Sequence, residues 1–245
     1  NVTCEVYSSE VTGRLEDKMI SELSSLIESV PYDVISVVSE GGSSPCFLLL
    51  HFISEAIKRN ARVVLLTSMR SERAYRIIAS KAMVRLNTNV RFVSLSEFFT
   101  DELDADDSLL LNRLREAILR EVGDEDDEAF MLFDNLSLLS DVLKNASSVI
   151  SFLRQLQISV RAKGIHPKLI LTLQSSCDAS TVIMHKSDFI LKTKLIGSGF
   201  AKDVTGQLTI IAQAEREAAP ITIMHYHLGD RSVHLFPPGV MRPNL

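Results

Sequence analysis

Residues 34–59 read VISVVSEGGSSPCFLLLHFISEAIKR, and the parsing of this stretch decides the fold. VISVV (34–38) is a short apolar, β-branched run of the kind that forms a buried strand. SEGGSSP (39–45) supplies a Gly/Ser turn, and CFLLLHFISEAIKR (46–59) is long and apolar enough for a helix packed on a sheet. Strand, Gly-rich turn and helix form the setting of a phosphate-binding loop, whose pattern is G-x-x-x-x-G-K-[ST]. That pattern needs a lysine for the β and γ phosphates and a hydroxyl for magnesium. Started at Glu40 or at Gly41, it puts the lysine position on Cys46 or Phe47, and neither can carry a positive charge. What remains is a degenerate phosphate loop of Gly41, Gly42, Ser43 and Ser44, with backbone N–H groups and two hydroxyls. A helix N-terminus still attracts anions weakly, and Pro45 is welcome in the first helical turn. No cofactor is expected there.

Outward from this unit, strands and helices alternate. Apolar runs at 62–67 (RVVLLT), 90–94 (VRFVS), 129–134 (AFMLFD) and 168–173 (KLILTL) predict strands. Helical spacing predicts helices at 17–29, 71–84 and 107–121, a long one from after 135 to about Gly164, and a short one near 179–185. From Asp188 the period changes to two: 188–195, 206–213, 220–228 and 231–236 read as strands joined by Gly/Pro turns. The expectation is an α/β fold with a mostly parallel central sheet and C-terminal antiparallel hairpins, which matches a RecA-like (P-loop NTPase-like) core. The expected division is an N-terminal extension with an amphipathic helix (1–30) and one RecA-like domain (31–245).

The chain of 245 residues is 46% hydrophobic and 23% charged, an ordinary globular balance. It has no apolar run of the ~18 residues that would suggest a membrane span, and its start has no apolar signal-peptide core. Three scattered cysteines, Cys4, Cys46 and Cys177, argue against a disulfide framework and for a reducing compartment. The expected location is the cytoplasm, with the nucleus as a second site. Net charge is −5, but residues 101–128 alone sum to −9, which leaves +4 for the rest. An acidic total does not exclude RNA, because binding depends on a local basic face.

Asp134, at the end of the strand FMLFD, is placed where a P-loop enzyme keeps its magnesium-binding carboxylate. It reads as a relic of such a site, the plain alternative being a helix N-cap. Arg70, Arg73 and Arg76, followed by Lys81 and Arg85, repeat at helical spacing. They are either a solvated helix face or a contact for a nucleic-acid backbone or an acidic subunit. Lys202, on a hairpin loop, is a candidate of the same kind. With Gly229-Asp230 as a two-residue turn, His225 pairs with His234 and His227 with Ser232, which puts all three histidines on one face. They could bind zinc, but a polar strand face explains them without metal. His51, in an apolar helix, reads as a core or interface histidine. No nucleophile elbow, paired-cysteine or HExxH pattern is present, so no catalytic residue is assigned.

Two segments, Gly199-Phe-Ala-Lys-Asp-Val-Thr-Gly206-Gln-Leu208 and Asp230-Arg-Ser-Val-His-Leu-Phe236-Pro-Pro-Gly239, resemble the family of sixth subunits of the Elongator complex. The helix Phe47-Leu-Leu-Leu-His-Phe52 after the lysine-free loop and the segment Phe133-Asp134-Asn-Leu-Ser-Leu-Leu139 are similar to that family too. The similarity runs from about residue 31 to 241. It implies a RecA-like fold without the ATPase loop, in a hetero-hexameric ring with subunits four and five. It further implies docking on the larger Elongator subunits and tRNA binding during modification of the wobble uridine, with the chemistry done elsewhere. The enzyme alternative is an ATPase that uses the modified loop with a Lys or Arg supplied across a ring interface.

Overall fold

Alternation of side chains along a strand builds both cores of this chain. In β2 (Arg62–Thr67) Val63 and Leu65 face one side while Val64 and Leu66 face the other, and in β4 (Glu128–Phe133) Phe130 and Leu132 oppose Met131 and Phe133. Strands apolar on both faces need cover on both, which is the condition for an interior parallel sheet. The computed structural model describes residues 20–28, 31–99, 106–124, 127–145, 147–177, 179–197, 203–213, 221–229 and 231–239.

The remaining strands are β1 (Val34–Glu40), β3 (Val90–Ser94), β5 (His166–Gln174), β6 (Phe189–Leu195), β7 (Gly206–Ala212), β8 (Ile221–Leu228) and β9 (Val233–Phe236). Among the described residues nine strands form one sheet in the order β3-β2-β4-β5-β1-β6-β7-β8-β9. The pairs from β3 through β6 are parallel, and β6 to β9 pair antiparallel. The change of period at Asp188 therefore marks a real change of pairing. One face carries α1 (Ser21–Glu28), α2 (Cys46–Lys58) and α3 (Glu72–Lys81). The other carries α4 (Asp107–Val122), α5 (Leu136–Val142), α6 (Ser147–Ala162) and α7 (Ser180–His185). Ile20, Leu23 and Ile27 of the first helix region sink into the same core as β1 and α2.

Two side chains tie down the amino ends of the central strands. Asp188 accepts from the backbone N–H groups of Asp33 (2.8 Å) and Val34 (2.9 Å), which registers β6 against β1. Lys168, buried in β5, donates to the Tyr32 carbonyl at 2.9 Å and lies 3.9 Å from the Tyr32 ring centroid. A buried ammonium survives only with such partners, and Glu128 supplies the counter-charge at 3.4 Å.

The structure corrects two expectations. The long helix after Asn135 is two helices, α5 and α6, with Leu143 extended between them. The break is held from a distance: the Asp107 carboxylate accepts from Lys144 N and Asn145 N, both at 3.1 Å, and Asn145 Oδ1 then caps Ser147 N at 3.0 Å. The last hairpin has its register shifted by two residues. His227 pairs with His234, Leu228 with Val233 and His225 with Phe236, so the loop holds residues 229–232. A Gly229 N–H to Ser232 carbonyl bond of 2.9 Å closes that longer loop. An even shift preserves the faces, so the three histidines still share one side and Tyr226 and Leu235 the buried other.

Candidate functional site

The carboxyl ends of β1, β2, β4 and β5 converge on a cavity of about 300 Å³. Ser39, Arg70, Asp134, Thr172 and Gln174 line it, together with the loop Gly42–Pro45. In open parallel sheets ligands bind outside the carboxyl ends where the strand order reverses, and β1 lies at such a reversal, between β5 and β6.

The loop takes its shape from its glycines. Gly41 and Gly42 have φ of 60° and 78°, a region open to glycine at little steric cost, and Ser43 N closes the turn on the Glu40 carbonyl at 3.2 Å. The Ser43 hydroxyl points into the protein, 2.8 Å from both the carbonyl and the hydroxyl oxygen of Thr193. Only Ser44 keeps an exposed side chain at the loop. Pro45 precedes α2 and gives it no side-chain cap, and Leu48 N and Leu49 N bond to the Pro45 carbonyl at 2.9 and 3.3 Å. Cys46 stands at the first helical position, half-buried. Burial pushes its thiol above the ordinary value, against the opposing pull of Arg70.

Asp134 follows β4, with its backbone N–H bonded to the Leu66 carbonyl at 3.0 Å. Its side chain is 3% exposed, so its charge needs partners. Arg70 Nη1 lies 3.6 Å from Oδ1, and Met69 N donates to Oδ2 at 3.4 Å. A guanidinium from the loop after β2 thus faces the carboxylate.

This placement corrects the reading of the basic helix. Helix α3 begins at Glu72 with Ser71 as its N-cap, so Arg70 precedes it and turns into the cavity. Arg76 is held by Glu72 at 2.6 Å and lies 5.4 Å from the Phe92 ring centroid. Arg73 is exposed on the outer face and makes no ion pair among the described residues. Thus the three arginines do not form one row. Lys202 lies outside the described residues. His51 is 1% exposed in α2, edge-on to Phe52. His234 Nε2 is 3.0 Å from Ser232 Oγ, and among the described residues no three His, Cys, Asp or Glu side chains converge as metal ligands.

Tyr75, fully buried in α3 behind Arg70, was not singled out from sequence; an aromatic five residues past Arg70 reads only as core. Burial, and then the Asp134 charge, push its phenol well above the ordinary value. With the folded value raised, the unfolded chain ionises first, so stability is complete below pH ~10 and falls as pH rises beyond it. Tyr75 adds roughly 1 kcal/mol of loss per pH unit above that point. Tyr226 is raised by burial as well, so Tyr75→Phe is expected to make the alkaline loss shallower without abolishing it. Urea unfolding at neutral pH and near pH 11 measures this; an unchanged slope in the variant would refute it.

No family profile matches this chain. It is similar to Elongator complex protein 6 of Rattus norvegicus, 25% identical over 265 residues that span 91% of this chain and 99% of that protein. The Mus musculus and Homo sapiens proteins of the same name are each 24% identical, spanning 91% of this chain and 98% of theirs. Among solved structures it resembles the KaiC-like protein PH0186 of Pyrococcus horikoshii OT3, with a TM-score of 0.62 and 12% identity over 90% of this chain and 97% of that one. FlaH, the flagellar accessory protein of Methanocaldococcus jannaschii, gives the same TM-score and identity over 87% and 94%. The fold is RecA-like.

Proposed function

We propose that this chain is a non-catalytic RecA-like subunit of an Elongator complex, the counterpart of protein 6. In this reading it assembles with subunits four and five into a hetero-hexameric ring that docks on the larger subunits and binds tRNA for wobble-uridine modification. The observation that carries the assignment is the end-to-end match: the similarity spans nearly all of both chains rather than one shared motif. Two local features support the absence of hydrolysis. Cys46 or Phe47 stands where the loop lysine would be, and Arg70 faces the carboxylate that would hold magnesium. Phosphoryl transfer depends almost wholly on charges placed around the phosphates, so a site lacking one cation and with its metal carboxylate paired has lost its means of catalysis.

The mass of the chain co-expressed with its two partners tests assembly: a hexamer with two copies of each is expected, and a persistent monomer overturns the reading. The competing ATPase reading requires a neighbour to supply the missing cation. Mg-ATP turnover of the assembled ring, abolished by Asp134→Ala in this chain, would establish it; turnover unaffected by that substitution is expected if partners alone hydrolyse.

A further inference from the structure

Beside the loop lies a second hollow of about 250 Å³ between α2, α3 and the β8–β9 hairpin. Its floor is aliphatic, from Leu50, Ile78, Leu228 and Val233, and its rim carries Lys81 and Arg231. Both cations are exposed, and neither has an ion-pair or hydrogen-bond partner among the described residues. Cys46 lines the hollow as well. From Lys81 the surface continues along the outer face of α3, where a second opening is lined by Arg73, Ile77, Ser80 and Lys81 and by Glu72 and Arg76, whose charges pair with each other. Arg73, Ile77 and Lys81 stand at i, i+4 and i+8, so one exposed row reads cation, apolar, cation, with Ile77 50% exposed.

We propose that this surface is a docking groove for an acidic segment with apolar anchors, presented by a neighbouring subunit. One anchor covers Ile77 between Arg73 and Lys81, and a second fills the hollow at Cys46, with carboxylates meeting Lys81 and Arg231. The repeated pattern selects that occupant: aliphatic sites flanked by unpaired cations fit a chain that alternates apolar and acidic side chains. RNA fits less well. Its affinity comes from dense phosphate contacts and from rings on which bases stack. Among the described residues, the one aromatic ring lining the hollow, Phe47, is 6% exposed and packs against Tyr226 at 5.0 Å between centroids. The neighbouring subunit as the source rests on the ring reading above; the chemistry of the groove does not.

The test labels Cys46 with iodoacetamide, followed by peptide mass mapping, in the isolated chain and after addition of subunits four and five. Buried Cys177 serves as the internal reference. Labelling is expected to slow by about tenfold or more in the assembly, and Lys81→Glu with Arg231→Glu should restore the rate and weaken assembly. Both residues are exposed, so the double variant should unfold at the wild-type urea midpoint. Assembly with Cys46 labelled at its isolated rate overturns the groove and leaves the ring standing. If no assembly forms, the ring reading fails, and a fluorescein-labelled peptide of alternating Glu and Leu decides the groove by anisotropy on the isolated chain. Binding lost in the double variant sustains it. No binding, or binding only of a single-stranded RNA oligonucleotide of equal length, overturns it.

Discussion

Gly206→Ala is expected to cost about 3 kcal/mol of stability, which would leave a chain of ordinary marginal stability partly unfolded in the cell. Gly206 opens β7 and pairs with Leu195 on one side and Tyr226 on the other. A Cβ there would come well inside 3.0 Å of the Lys194 carbonyl oxygen and of the Tyr226 Cζ and hydroxyl. The first obstacle is backbone in a paired strand and cannot turn aside. The second is a fully buried ring, itself packed against Phe47 at the first turn of α2. Relief would therefore have to separate β6 from β7 or push Tyr226 into the core, and interiors this dense resist both. Gly197→Ala is the control. Gly197 has φ of 60° but a Cβ there meets nothing within 4 Å, so only backbone strain of about 1 kcal/mol is expected. Urea unfolding of the two variants separates close approach from glycine flexibility; equal losses would refute the argument. The same contact gives the local reason for a glycine at this position: Tyr226 lies across the space a side chain would take.

The parts of the fold legible in sequence are those decided locally. RVVLLT was readable as a strand to the residue, because a β-branched run between Asn60-Ala61 and Ser68 has no competing period. The parallel-to-antiparallel change was readable from the loss of helical segments after Asp188. What escaped was held by partners far along the chain. The break between α5 and α6 depends on Asp107, 37 residues before Lys144. The hairpin register depends on the loop closed by Gly229 and Ser232, whereas Gly-Asp alone reads as a tight turn.

The candidate site divides the same way. The loop glycines and Asp134 were visible because each stands at a strand end, a position sequence marks well. The role of Arg70 was not, since three arginines at spacing three look like one helical face. A signal was present nonetheless. Strands β2 and β4 are adjacent and parallel, with Leu66 opposite Phe133, so residues just past their ends must meet. That register alone brings the loop at 68–70 against Asp134.

Arg70→Ala is expected to destabilise the chain by about 2 kcal/mol, and Asp134→Asn in that background to recover most of the loss. The Asp134 side chain is 3% exposed, and without Arg70 it keeps the Met69 N–H but no opposing charge. Removing one partner of a buried pair leaves an uncompensated charge, at a cost above what the intact pair contributes. The figure is set below that of a fully buried pair because Arg70 is 35% exposed and water screens part of its field. For the same reason Asp134→Asn alone should cost little, since a half-exposed guanidinium can turn to solvent. A double-mutant cycle by urea unfolding reads the coupling directly, and additive losses would show that Arg70 and Asp134 stand close without depending on one another. Magnesium supplies the second arm. With the guanidinium in place, added magnesium should leave the thermal midpoint of the wild-type chain unmoved, whereas a cation site at Asp134 in use would raise it by mass action. A rise abolished by Asp134→Asn would return the carboxylate to the role of metal ligand and make Arg70 its competitor instead of its fixed partner.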